Sequence, residues 1–176
     1  KDYAKTLGDV IEIVKYRTGK NKVNIIAFSM GGLVSRSYIK EGGASNVHKL
    51  VTIGTPNNGV YPIDGINFAC GILGQNKECV DLNVNSDFIN NLKNYDISKY
   101  VNAITIAGKC GVSSKSGYAY DNVVRVESVA LPGLRNYIVE CKDPTQHSFI
   151  NNYHGELVDP ALSPEVYNYV KNFLKN

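Results

Sequence analysis

Residues 22–34 read Lys22-Val-Asn-Ile-Ile-Ala-Phe-Ser29-Met-Gly-Gly-Leu-Val34. The run Val23–Phe28 is apolar and of strand length, the pattern of a strand buried on both faces. It meets a serine and leaves through two glycines into helix-forming residues. A strand that turns at once into a helix crowds its own backbone, so small residues are needed on both sides of the apex. Ala27 stands two positions before Ser29 and Gly31 two after. Such a turn lifts the serine hydroxyl out of the sheet and aims a helix N-terminus past it. The Met30 amide, at the start of that helix, would point at an oxyanion developing beside Ser29.

Elements of the same kind lie on either side. Upstream, Tyr3, Leu7, Val10, Ile11 and Val14 recur at helical spacing over residues 2–18, and Gly19 closes the run. Downstream, the pattern predicts a helix over 30–41 that stops at Gly42-Gly43 and a buried strand over 48–53. That strand ends at Gly54-Thr-Pro-Asn-Asn-Gly59. Residues 101–107 and 136–140 read as two further strands. Ser163-Pro164-Glu165 is an N-cap with proline at the first helical position. A final helix follows, with Val166, Tyr169, Val170, Phe173 and Leu174 on one stripe. Helices alternating with short, β-rich strands predict an α/β protein with a parallel sheet and crossover helices. The irregular stretch 60–100 breaks the alternation. A connection of that length is usually functional, and its tail, Ser86-Asp-Phe-Ile-Asn-Asn-Leu92, has the pattern of a short amphipathic helix.

Length and composition set the bounds. A chain of 176 residues can bury a real core. With 43% hydrophobic and 20% charged residues it reads as an ordinary globular domain. The net charge of +3 comes from interspersed acids and bases. No basic stripe points to nucleic acid, and no stretch approaches the roughly 18 apolar residues of a membrane span. Four cysteines, Cys70, Cys79, Cys110 and Cys141, allow three pairings. Local pairing, Cys70–Cys79 and Cys110–Cys141, would suit an oxidising, extracellular or cell-surface setting. Four reduced thiols in a cytosolic protein are the alternative. No Cys-x-x-Cys spacing suggests zinc.

The turn at Ser29, with its Ser-Met-Gly-Gly sequence, resembles the nucleophile elbow of the α/β-hydrolases in their lipase-like form. The family's first elbow glycine is Ala27 here, and Phe28 stands where many relatives carry histidine. The resemblance implies a Ser-His-Asp triad in the chain order serine, acid, histidine. A serine hydroxyl is a poor nucleophile until a base sits within hydrogen-bond reach and a carboxylate orients that base. Asp121, in Asp121-Asn-Val-Val-Arg-Val-Glu-Ser128, matches the family's acid segment Asp-Gly-Val-Val-Pro. Asn122 replaces its glycine and Arg125 its proline, and Glu127 is the fallback acid. His48 precedes the acid and is excluded by order. His154-Gly-Glu-Leu157 matches the family's His-x-x-Leu pattern before the final helix, and His147-Ser-Phe-Ile150 is a weaker match. The resemblance therefore assigns Ser29, Asp121 and His154 as catalytic and the Met30 amide as an oxyanion donor. Gly54-Thr-Pro-Asn57 also resembles the family's Gly-Thr-Pro segment, which ends the sixth strand near the pocket, and no chemistry is assigned to it.

The same resemblance implies a lipase- or esterase-like hydrolase of carboxylic esters, with no metal or organic cofactor and an ester or lipid substrate. Thioesterase, acyltransferase or amidase chemistry would use the same three residues. Residues 60–100 correspond to a cap or lid, with contact to a lipid or membrane surface expected through them. In the resembled fold the nucleophile strand is the fifth of eight, so residues 1–176 are expected to form one incomplete domain lacking its N-terminal strands. An N-terminal complement or partner chain would then supply the second oxyanion amide. A non-catalytic or partner-dependent subunit derived from such a hydrolase is the rival expectation.

Overall fold

The computed structural model describes residues 2–61, 80–113, 116–147 and 152–176. In chain order these form α1 (Asp2–Thr18), β1 (Val23–Phe28), α2 (Met30–Lys40), β2 (Val47–Ile53), α3 (Asp87–Lys93), β3 (Asn102–Lys109), α4 (Val126–Val129), β4 (Arg135–Glu140), α5 (Tyr153–Glu156) and α6 (Pro164–Lys175). The strands pair in the order β1-β2-β3-β4, and every pairing is parallel. Parallel neighbours need long crossovers, which the helices and long loops between strands provide. The fold is α/β, as the alternation predicts.

Alternating residues of the strands feed two cores, as the pleat requires. Val51, Ile53, Ile104, Ile106 and Val139 pack on one face with Tyr153, Leu157 and Val166, under α6. Ala27, Leu50 and Ala103 pack on the other with Ile39, Ile97, Val101 and Leu131, beside α2. Lys49 is buried at the start of the sheet, and its ammonium donates to the Phe173 and Leu174 carbonyls at 3.1 Å each. A cation there caps the negative end of α6 and satisfies carbonyls the helix cannot. A smaller cluster, Leu33, Val60, Leu82, Ile89 and Leu92, joins α2 to α3. Ser86 caps α3, its hydroxyl accepting from the Ile89 amide at 3.1 Å.

Three expectations are corrected. β1 is not buried on both faces: among the described residues it pairs only with β2, and Asn24 and Ile26 are exposed. A continuous apolar run looks the same at the centre and at the edge of a sheet. The apolar stripe of α1 is split, with Ala4 and Ile11 buried while Tyr3, Val10 and Val14 lie in solvent. Ser163 stands at the N-cap of α6 but makes no capping hydrogen bond through its side chain. Residues 62–79, most of the connection expected to form a lid and the site of Cys70 and Cys79, lie outside the described residues. The Cys110–Cys141 disulfide is present. Among the described residues no helix is long and apolar enough to cross a membrane.

Candidate active site

Every residue singled out for chemistry sits just beyond the C-terminal end of a strand. Ser29 follows β1, Asp121 lies in the connection after β3 and His154, on α5, in the connection after β4. In open parallel sheets this is the edge where loops converge on a ligand.

Ser29 is held at φ 50° and ψ −129°, a backbone region that L-residues avoid. Its amide donates to the Ile53 carbonyl at 2.8 Å, locking the strained turn onto β2. Strain of this kind persists only where its surroundings over-determine it. Met30 opens α2, so its N–H has no acceptor within that helix. Gly32, not Gly31, is the glycine that sterics demand. A Cβ on Gly32 would collide with the Thr55 side chain, whereas one on Gly31 meets no described atom within 4 Å.

Asp121 has no exposed surface. One carboxylate oxygen accepts the amides of Val123 (3.0 Å) and Val124 (2.7 Å), and the other lies 2.7 Å from Nδ1 of His154. The Asp121 carbonyl accepts the His154 amide at 3.0 Å, so backbone as well as side chains join the two loops. Asn122 takes φ 74°, the conformation that lets it replace glycine, and its side-chain oxygen accepts the Tyr153 amide at 3.2 Å. Arg125 is buried between the rings of Tyr61 and Tyr118, 3.8 and 4.3 Å from their centroids, and pairs with Glu127 at 3.2 Å. Glu127 is thus engaged away from the histidine.

His154 is 7% exposed, and its Nε2 lies 3.0 Å from Oγ of Ser29. With Nδ1–H donated to Asp121, Nε2 carries the lone pair that faces the serine hydroxyl. The Phe28 ring packs on the imidazole, centroids 4.7 Å apart. The structure therefore brings Ser29, Asp121 and His154 together. His48 is exposed at the far end of β2, and His147 pairs with Glu156 at 3.1 Å.

Sequence reasoning missed the supports. A Cβ on Gly54 (φ 55°) would lie 2.9 Å from Cε1 of His154, and one on Gly108 2.9 Å from Cβ of Asp121. Both glycines make room for the site. Arg36, 1% exposed, donates to the carbonyl and side chain of Asn57 at 2.8 and 3.2 Å and to the Leu92 carbonyl at 2.9 Å. Burial pushes its guanidinium down to about 10. Asn57 also donates to the Val129 carbonyl at 2.7 Å. The segment Gly54–Gly59 thereby ties α2 and α3 to the chain beyond the acid turn. Its Gly-Thr-Pro-Asn-Asn-Gly composition was a visible turn signal, but nothing local in it named Arg36 as partner.

A parallel sheet with flanking helices, carrying a strained serine at a strand-to-helix turn, defines an α/β-hydrolase. The sequence model of the palmitoyl protein thioesterase family matches residues 1–107. The chain belongs to that family, and with it to the thioesterase-, lipase- and esterase-like hydrolases. No individually curated protein matches it. Among solved structures it is similar to the lipase BlEst2 of Bacillus licheniformis in its mature form, at TM-score 0.66 and 21% identity over 94% of this chain and 73% of that one. The propeptide form of the same lipase gives TM-score 0.65 and 20% identity, over 94% of this chain and 40% of that one. The product of gene lin2722 of Listeria innocua gives TM-score 0.58 and 20% identity, over 94% of this chain and 64% of that one. At such identities the likeness establishes the fold.

Proposed function

We propose that the chain hydrolyses acyl esters through a covalent acyl-enzyme on Ser29. The observation that carries this reading is the unbroken line of hydrogen-bonding groups from Oγ of Ser29 through the His154 ring to the Asp121 carboxylate, at 3.0 and 2.7 Å. Oγ attacks the acyl carbonyl while Nε2 of His154 takes its proton. Asp121 holds the tautomer and stabilises the imidazolium that forms. The Met30 amide donates to the oxyanion. Collapse of the tetrahedral intermediate breaks the bond to the leaving group, which receives the proton from His154. Water, deprotonated by the same nitrogen, then releases the acid and restores Ser29.

Carboxylic oxyesters are the primary substrates of this reading. The name of the matched family, palmitoyl protein thioesterase, favours a second: a thioester presents the same carbonyl with a better leaving group, so the same residues serve. The disulfide between Cys110 and Cys141 supports an oxidising, extracellular or cell-surface location.

The test is covalent labelling with an active-site serine phosphonate, followed by hydrolysis of oxyester and thioester series of matched acyl length. Ser29 is expected to take the label. Ser29→Ala should lose label and about 10⁴-fold or more in kcat, the scale of removing a catalytic serine. Equal turnover by the alanine variant would overturn the mechanism.

A further inference from the structure

His147 faces acceptors through both ring nitrogens. Nδ1 lies 2.9 Å from the Asp143 carbonyl, which can only accept. Nε2 lies 3.1 Å from a carboxylate oxygen of Glu156. A neutral imidazole has one N–H and cannot serve both. The arrangement is complete only when the pair holds an extra proton, and imidazole is the stronger base of the two. The contact is largely out of water, the two side chains being 10% and 23% exposed, so solvent screens it less than a surface pair.

The pair also joins particular elements. Asp143 begins the turn after β4, whereas Glu156 ends α5, the four-residue helix that carries His154. Tyr153, at the start of α5, meets the His147 ring edge-on with centroids 5.5 Å apart. A helix this short is not stable by itself and depends on tertiary contacts.

We propose that His147 is a positioning residue: as an imidazolium it straps α5 to the turn after β4 and so fixes the helix from which His154 reaches Ser29. The strap is a statement about structure. Only its effect on turnover rests on the reading of His154 as the base.

The surroundings agree with a charged ring. Burial lowers the affinity of His147 for its proton, but the Asp143 carbonyl and the Glu156 carboxylate outweigh it and hold the imidazole above its ordinary 6.5. The cavity of about 350 Å³ beside it is also lined by Glu140, Asp143, Glu165 and Lys142, with carboxylates in excess. Among the described residues Tyr153 is a further titratable neighbour, and burial raises its phenol away from this range. The cysteine sulfurs next to His147 are spent in the disulfide and carry no charge. Because the folded value is raised, the strap's contribution is complete below pH 6.5 and is lost as pH climbs through the folded midpoint. His154 acts as a base only when neutral. Turnover therefore needs the two histidines in opposite states.

The experiment is a proton and nitrogen NMR titration of the imidazoles in the unmodified chain and in Glu156→Gln. The His147 midpoint is expected above 6.5 and should fall by about one pH unit or more in the variant, the scale of losing an adjacent opposite charge. The low-field resonance of the His154 Nδ1–H, held by Asp121, should weaken in Glu156→Gln at a pH where it is sharp in the wild type. A His147 midpoint at or below 6.5, or a His154 resonance indifferent to Glu156→Gln, overturns the strap. In parallel, kcat per phosphonate-titrated site should fall on the alkaline side with the His147 midpoint while KM stays constant. An alkaline limb with the same midpoint in Glu156→Gln would also overturn it. Absence of phosphonate labelling would instead remove the hydrolase reading, leaving the NMR comparison to decide the strap.

Discussion

Gly54 bears no reacting group, yet the imidazole depends on it. Its φ of 55° lies where only glycine is comfortable, and a β-carbon would lie 2.9 and 3.0 Å from Cε1 and Nδ1 of His154. Gly54→Ala must therefore move either the strand end or the ring. Misplacing a catalytic group by about 1 Å costs on the order of 100-fold in rate. The expected outcome for Gly54→Ala is a loss of about that size in kcat, with the far-ultraviolet spectrum retained. Steady-state kinetics on a chromogenic ester checks it, and turnover within twofold of wild type would mean that the ring has room to yield. That Ser29, His154 and Asp121 come within hydrogen-bond reach in that order was legible because residue type, order and local sequence all bear on it. Gly54 and Gly108 were not. Their role is to leave a space, and a space is defined by residues 100 and 13 positions away. Arg36 was equally hidden: in the helical pattern it reads as an exposed charge, and only the folded chain shows it buried against Asn57 and Leu92.

At the scale of elements, the loop after β3 and the loop after β4 must hold Asp121 and His154 in register across the sheet. The Cys110–Cys141 bridge closes the 31-residue separation between the ends of those strands, with a Cα–Cα distance of 5.1 Å. It brackets the acid turn and sits beside His147. Replacing both cysteines by alanine should cost roughly 2–4 kcal/mol, the usual worth of a bridge closing a loop of this length. Urea denaturation with and without reductant checks it; no change in midpoint between bridged and reduced protein would show that native packing alone holds the loops. The alternation of strand and helix was legible because its periods, 2 and 3.6, are local properties of the chain. The exposure of Asn24 and Ile26 in β1 was not, because an apolar run says that a strand prefers burial and nothing about which of its faces is covered. The division of α1 into a packed and a bare face has the same origin. Tyr3, Val10 and Val14 continue the stripe by type, but where α1 packs on α2 and β1 the buried positions are Ala4 and Ile11.

At the scale of the molecule these two features have one consequence. β1 offers a backbone edge that no other described strand pairs with, and Ile26 on that edge is 54% exposed. On α1, Tyr3, Val10, Ile13 and Val14 are 40–55% exposed. An edge strand bearing apolar side chains is a template for pairing with another chain, and natural edges are blunted by charge, proline or a bulge. Val23–Phe28 contains no charge and no proline, and its irregularity in register lies at its start, between Val23 and Asn24. The 176-residue chain purified by itself is therefore expected to self-associate with concentration, through the β1 edge. Ile26→Lys places a charge on that edge without touching Ala27, Phe28 or Ser29. It should weaken association roughly tenfold, the equivalent of about 1.4 kcal/mol. Sedimentation velocity over a concentration series checks this. If Ile26→Lys leaves association unchanged while Val14→Glu abolishes it, the contact runs through α1 instead. A wild-type chain that stays monomeric throughout would mean that the edge is protected in solution and that the described surface does not associate.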